Sequence, residues 1–241
     1  TRGSRMSILA VIPARGGSKG ILGKNLKELG GKPLVTWMIE AALDTVVDTV
    51  VVSTDDADIA AISRGYNLPI RLRPEEISGD LASSESAVLD VLDGDWDSPD
   101  TVLMLQPTSP LTLSEDIEGV LGALDAPAGM HTPLKFDSAF SVTPFDKFLW
   151  HDMGVAKGVV GINHEKTQPR EMRQQRHGQF MENGAIYAMR TKAFLKAKNR
   201  FCGYSNTYVM PKDRSLEIDD LADWQMVEAL LAPRYANRLE S

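Results

Sequence analysis

The chain has 241 residues, 43% of them hydrophobic and 24% charged, the profile of a globular protein able to bury a sizeable core. A formal charge of −7 argues against general nucleic-acid or anionic-membrane binding. No apolar run approaches the roughly 18 residues of a membrane-spanning helix, and no signal-peptide pattern opens the chain. Cys202 is the single cysteine, which excludes an intrachain disulfide and a thiolate metal cluster. A cytoplasmic location is expected. Residues 1–5, ahead of Met6, read as a cloning remnant.

Residues 8–12 form a continuous apolar run closed by Pro13, the length of a buried strand, and a glycine-rich loop follows over 15–31. From Pro33 onward, Leu34, Trp37, Met38, Ala41 and Ala42 take the i, i+3, i+4 spacing of a helix. Residues 49–53 predict a second strand, 56–64 a short helix carrying Ile59, Ala60 and Ile62, and 84–92 a helix with Ala87, Val88, Val91 and Leu92 on one face. Residues 101–105 predict another buried strand. This alternation over 8–143 predicts an α/β fold, a mostly parallel sheet with helices on both faces and ligands at the carboxyl ends of its strands.

The pattern breaks over 144–181, where Gly, His, Gln and Arg accumulate beside an apolar cluster of Phe145, Phe148, Leu149 and Trp150. This predicts an inserted arm between core segments 6–143 and 182–241. Strands are expected at 185–189 and 208–211, then a last helix from about Asp220 with Leu221, Trp224, Val227 and Leu231 on one face.

The loop Pro13-Ala-Arg-Gly-Gly-Ser-Lys-Gly-Ile-Leu-Gly-Lys-Asn25 combines glycines that let backbone amides approach an anion with cations that neutralise it. Residues 13–32 hold Arg15, Lys19, Lys24, Lys27 and Lys32 against Glu28 alone, a contrast with the acidic whole that suits a polyphosphate site. The alternative is a solvated surface loop. Two common phosphate motifs are absent: Ser18 stands where a Walker loop needs its first glycine and Asn25 where it needs Ser or Thr, and G-x-G-x-x-G does not occur.

In Ser215-Leu-Glu-Ile-Asp219 an extended backbone puts Glu217 and Asp219 on one face and Ile218 on the other. Two carboxylates aimed together favour a cation between them, and Mg²⁺ suits such a pair completed by phosphate oxygens. The alternative is an acidic turn in which Asp219 or Asp220 caps the last helix. Gln106-Pro-Thr-Ser-Pro110 closes the 101–105 strand with a rigid polar turn, and Gln168-Pro-Arg170 with Arg173 and Arg176 makes the arm basic. The four histidines show no metal spacing and no G-x-S-x-G partner, against zinc and hydrolase chemistry.

Taken in order, Ile12-Pro-Ala-Arg-Gly-Gly-Ser-Lys-Gly20 with Lys24-Asn25, Val52-Ser-Thr-Asp55, Leu72-Arg-Pro74, Ala82-Ser-Ser84, Leu105-Gln-Pro-Thr-Ser-Pro-Leu111, Gln168-Pro-Arg170, Glu182-Asn-Gly-Ala-Ile-Tyr187 and Glu217-Ile-Asp219 resemble the acylneuraminate cytidylyltransferases, or CMP-sialic acid synthetases. The resemblance implies a GT-A-like nucleotidyltransferase fold with a small dimerisation arm. The implied activity joins CTP to a nine-carbon 2-keto-3-deoxy sugar acid and releases pyrophosphate.

It further implies that Arg15, Gly16, Gly17, Ser18, Lys19 and Asn25 hold the triphosphate, with Asn25, Arg73 and Ser83 near cytosine and ribose. Gln106, Asn183 and Tyr187 would lie toward the sugar, Lys147 and Arg170 would come from the arm of a homodimer, and Glu217 and Asp219 would hold Mg²⁺, with Mn²⁺ as an alternative. Arg15, Lys19 and Asp219 are the implied catalytic groups, and Asp219 the ligand nearest the attacking hydroxyl. Thr112, Met181 and Glu217 depart from relatives that carry Arg, Arg and Asp there. The competing expectations are a cytidylyltransferase for the eight-carbon acid Kdo or another sugar, and a nucleotide-binding regulatory protein without chemistry.

Overall fold

The computed structural model describes residues 6–18, 20–79, 82–94, 96, 98–127, 135–155, 157–169, 172 and 178–239, with the backbone alone for 233–239. The elements run β1 (Ile8–Pro13), β2 (Glu28–Leu29), β3 (Lys32–Pro33), α1 (Leu34–Leu43), β4 (Thr49–Thr54), α2 (Ala57–Gly65), β5 (Ile70–Leu72), α3 (Ser84–Leu92), β6 (Thr101–Leu105) and α4 (Ser114–Asp125). They continue with β7 (Ser138–Pro144), β8 (Trp150–Asp152), β9 (Val159–Gly161), β10 (Phe180–Arg190), α5 (Thr191–Ala197), β11 (Ser205–Val209) and α6 (Leu221–Leu239).

Seven strands form one sheet in the order β11-β7-β10-β6-β1-β4-β5. β1 pairs in parallel with β4 and β6, β4 with β5, and β11 with β7, while β10 runs antiparallel to both its neighbours, β6 and β7. The expected mostly parallel sheet is therefore present, with β10 as its reversed strand. Successive side chains of a strand point to opposite faces. Ala10 and Ile12 accordingly pack with Val35, Met38 and Ile39 of α1, Ile59 of α2 and Ile117, Val120 and Leu124 of α4. Leu9 and Val11 pack with Val88 and Val91 of α3 and Phe194 of α5 on the other face.

A third apolar cluster gathers Ile21, Leu29, Leu34, Leu111, Ile218, Trp224, Val227 and Leu231. It clamps the glycine-rich loop, the turn after β6, the segment before α6 and α6 itself into one unit. Asp220 accepts from the amides of Ala222 and Asp223 at 2.8 and 3.0 Å, and Asp223 Oδ2 accepts from the amides of Asp219 and Asp220, so both carboxylates close the first turn of α6. Asp220 is thus the cap, and the Asp219 carboxylate is left for other work.

Three expectations need correction. The strand expected at 208–211 is β11, three residues earlier, because its pairing with β7 and not its apolar content defines it. The strand expected at 185–189 extends back to Phe180 through a register shift between Glu182 and Tyr187. Leu221 is 58% exposed, since it opens α6 beside the cap, whereas Trp224, Val227 and Leu231 are buried as expected. The segment expected to form an arm carries the β8–β9 hairpin, which is not hydrogen-bonded into the main sheet. Among the described residues, no helix is long and apolar enough to cross a membrane.

Candidate active site

The carboxyl ends of β1, β4, β5 and β6 open on one side of the sheet, where parallel α/β proteins bind ligands. A cavity of about 320 Å³ lies there, in the size class of small-molecule sites. Its wall includes Arg15 after β1, Arg73 after β5, Ser83 at the start of α3, Gln106 after β6, and Ser18, Lys24, Asn25 and Asp219.

Each wall residue is held by the backbone around it. Gly16 N donates to Asp55 Oδ1 at 2.8 Å, which ties the start of the glycine-rich loop to the end of β4. Arg73 donates from Nε to Ser53 Oγ at 2.8 Å and from Nη2 to Ser53 O at 2.9 Å, and burial pulls its guanidinium below the usual arginine range. Asn25 is 5% exposed; its Nδ2 donates to Arg15 O at 2.9 Å, while Oδ1 has no hydrogen-bond partner among the described residues. Buried acceptors left without a donor are costly, and Asn25, a residue of the cavity wall, holds one such unsatisfied acceptor.

Lys24 Nζ donates to Ile218 O at 2.6 Å and stands 3.6 Å from Asp219 Oδ1. Its side chain is 11% exposed and that of Asp219 76% exposed, so a shielded ammonium meets a carboxylate open to incoming molecules. Glu217 Oε1 accepts from Thr108 Oγ1 at 3.0 Å, and Ile218 N donates to Thr108 O at 2.8 Å. The acidic segment is thereby stitched to the turn after β6. Burial, then the Asp219 charge, pushes the Glu217 carboxyl above its ordinary value.

Two glycines permit these approaches. A Cβ on Gly20 would collide with Asp219 O, and one on Gly184, where φ is +70°, would collide with the Glu217 carboxylate. The glycine of the loop and the glycine of the Glu182-Asn-Gly184 stretch therefore make room for the same acidic segment.

Of the residues singled out in the sequence, Arg15, Ser18, Asn25, Arg73, Ser83, Gln106 and Asp219 come together at the cavity wall. Gly16 and Gly17 belong to the same loop without lining it, and Glu217 stands behind Thr108. Asn183 is buried in β10, accepting from Ser141 Oγ at 2.6 Å and donating to Ser215 Oγ at 3.2 Å. Tyr187 is also buried: its hydroxyl donates to Glu182, and the Arg200 guanidinium lies 4.6 Å over its ring. Neither lines the cavity, and Lys147 lies exposed in the arm segment. Lys19 and Arg170 fall outside the described residues.

Lys24 and Thr108 are site residues that reading for individual roles passed over. Their signal was present: Lys24 is one of the loop's clustered cations, and Thr108 is the polar centre of the Gln106-Pro-Thr-Ser-Pro110 turn.

Comparison with known proteins agrees with this architecture. The cytidylyltransferase family model matches residues 9–204. The chain is 33% identical over 227 residues to the N-acylneuraminate cytidylyltransferase of Escherichia coli O18:K1:H7, a match covering 92% of this chain and 51% of that protein. The chain thus spans about half the length of that relative. It is 32% identical over 236 residues to the CMP-N,N'-diacetyllegionaminic acid synthase of Legionella pneumophila, covering 94% of this chain and 97% of that protein. Among solved structures, CMP:2-keto-3-deoxy-manno-octonic acid synthetase complexed with CTP superposes with a TM-score of 0.64 at 20% identity, covering 95% of this chain and 99% of that one. That likeness concerns the fold, which is the nucleotidyltransferase α/β fold. The chain belongs to the cytidylyltransferase family.

Proposed function

We propose that this protein joins CTP to a nine-carbon 2-keto-3-deoxy sugar acid, giving a CMP-sugar acid and pyrophosphate. The observation that carries the reading is a cavity at the strand ends whose wall joins three cations, Arg15, Lys24 and Arg73, to the Gln106 turn and the Asp219 carboxylate. In the proposed reaction the anomeric hydroxyl oxygen of the sugar acid bonds to the α-phosphorus and its proton passes to water, while the bond from that phosphorus to the α,β-bridging oxygen breaks and pyrophosphate leaves with the electron pair. Charge moves onto the leaving group, so the protein's work is positioning and neutralisation. Arg15 and Lys24 supply the neutralising charge, and the unsatisfied acceptor of Asn25 suits a donor on the nucleoside.

Calorimetry should show CTP binding more tightly than UTP, and Asn25→Ala should weaken CTP binding by about tenfold, the cost of one hydrogen bond in a buried site. Equal affinity for all four nucleoside triphosphates would sink the cytidine reading. A coupled pyrophosphate assay with CTP, Mg²⁺ and a panel of nine-carbon sugar acids and Kdo identifies the acceptor. Tight CTP binding without pyrophosphate release from any acid would favour a regulatory nucleotide-binding protein.

The residues present fit a divalent cation. Glu217 and Asp219 are hard oxygen donors on one segment; burial first and the Asp219 charge second raise the Glu217 carboxyl, and a cation beside the pair would favour both charged forms. Among the described residues no group of three or more His, Cys, Asp or Glu gathers as a metal centre. A pair matches the habit of Mg²⁺, which takes one or two carboxylates and fills its octahedron with water and phosphate oxygens; Mn²⁺ accepts the same donors. Bound there, the ion would act as a Lewis acid on the phosphates.

The active unit in this reading is a homodimer. On and around the β8–β9 hairpin, Leu149, Trp150, Met153, Val159, Val160 and Ile162 are exposed, Trp150 by 50% and Ile162 by 61%. At about 1.5 to 3 kcal/mol per large apolar side chain buried, a second copy of the chain is a fitting cover. Sedimentation should report a dimer that Trp150→Asp converts to monomer; a monomeric wild-type protein with full activity would refute the shared unit. A cytoplasmic place of work is in keeping with the buried free thiol of Cys202.

A further inference from the structure

Arg214 lies in the short 3₁₀ turn Lys212–Arg214, immediately ahead of the acidic segment 215–219, and does not line the cavity. Its guanidinium makes a two-pronged pair with Asp116, from Nε to Oδ2 at 2.9 Å and from Nη2 to Oδ1 at 2.7 Å. Nη2 also stands 2.7 Å from Glu115 Oε1. The Asp116 side chain is 0% exposed and that of Arg214 is 15% exposed. Asp116 has a second duty: its Oδ2 accepts from Leu113 N at 3.0 Å, closing the first turn of α4 at the point where the turn after β6 enters the helix.

The acidic segment is thus fixed to the 106–113 stretch from two sides. In front, Thr108 holds Glu217 through its hydroxyl and Ile218 through its carbonyl. Behind, Arg214 holds Asp116. Asn183 adds a third tie through Ser215, while Ser215 Oγ donates back to Pro211 O at 2.8 Å. A pair held only in front could pivot about Thr108. With both ends attached, the carboxylates of Glu217 and Asp219 keep their spacing from the turn.

We infer that Arg214, through Asp116, is a positioning residue that presets the Glu217 and Asp219 carboxylates for a divalent cation. This rests on the reading of that pair as the metal site. A guanidinium fork closed on the buried Asp116 is geometrically demanding, and lysine cannot replace it because a single ammonium cannot span both Asp116 oxygens and Glu115.

The test is Mn²⁺ titration of the full chain by electron paramagnetic resonance, with CTP affinity measured in chelator and thermal unfolding measured alongside. Arg214→Lys should weaken Mn²⁺ binding by about tenfold, as removal of outer-shell support does, while CTP affinity in chelator stays within about twofold. Because an unpaired Asp116 can unfold the protein, the paired variant Arg214→Met with Asp116→Asn removes both charges together and should show the same metal defect. Asp219→Asn serves as the reference. If it weakens Mn²⁺ binding and neither Arg214 variant does, whatever their melting temperatures, the pair only stabilises the fold and the inference falls alone. If the wild-type protein binds no Mn²⁺, or Asp219→Asn leaves binding unchanged, the metal reading falls and takes this inference with it.

Discussion

Asp219→Asn should lower turnover by about 10²-fold or more while leaving the fold intact. The substitution keeps the volume and removes the charge, and several kcal/mol of charge stabilisation around a phosphoryl centre correspond to that rate. Two features make the stability cost small. The Asp219 side chain is 76% exposed, and the capping of α6 belongs to Asp220 and Asp223. CTP affinity in chelator should change little, and the Glu217 carboxyl should titrate at lower pH once the neighbouring charge is gone. Pyrophosphate release measured at saturating CTP, Mg²⁺ and sugar acid checks the rate. Near-normal turnover would remove Asp219 from the chemistry.

Lys24→Met should be of similar severity, with turnover falling by about 10²-fold, the loss seen when one preorganised electrostatic stabiliser is removed from a reaction centre. Methionine keeps the apolar stem and discards the ammonium. The lost group joins the phosphate loop to the acidic segment, through Ile218 O at 2.6 Å and Asp219 Oδ1 at 3.6 Å. Lys27 offers the control within the same loop: its ammonium lies 4.7 Å over the Trp224 ring, away from the cavity wall. Lys27→Met should leave the rate within about twofold, as surface substitutions away from a site do. Rapid-quench measurement of the first turnover separates this effect from product release. Equal small losses in both variants would mean that local charge alone, without the geometry, is what the loop contributes.

Much of the fold is legible in the residues because the buried strands are short, apolar on both faces and bounded by turn residues, as in 8–13 and 101–105. Helix α4 escaped that reading although Ile117, Val120, Leu121 and Leu124 have helical spacing. Gly119 and Gly122 inside it lower intrinsic helix propensity, and burial against β7, β10 and β11 overrides that weakness. The first half of β10 was equally hidden, since Phe180, Met181 and Glu182 are exposed and a left-handed Gly184 interrupts the alternation. Asn183 and Tyr187 show the limit for side chains: their motif is recognisable, yet the structure spends their polar atoms on Ser141, Ser215 and Glu182.

By itself the sequence determined the α/β class, the anion-seeking charge of the glycine-rich loop and the presence of two carboxylates flanking a buried isoleucine, because periodicity, composition and spacing are local properties. Tertiary structure decided which cation meets which acid. Lys24 and Ile218 are 194 positions apart, and no local pattern links them. They meet because Ile21, Leu29, Leu111, Ile218 and Trp224 bury one another in a common cluster, and that apolar packing aims the polar groups on its surface toward the cavity. Tertiary structure also settled the duties of the adjacent acids, Asp220 to the helix and Asp219 to the open site, since capping depends on which carboxylate reaches the free amides of α6.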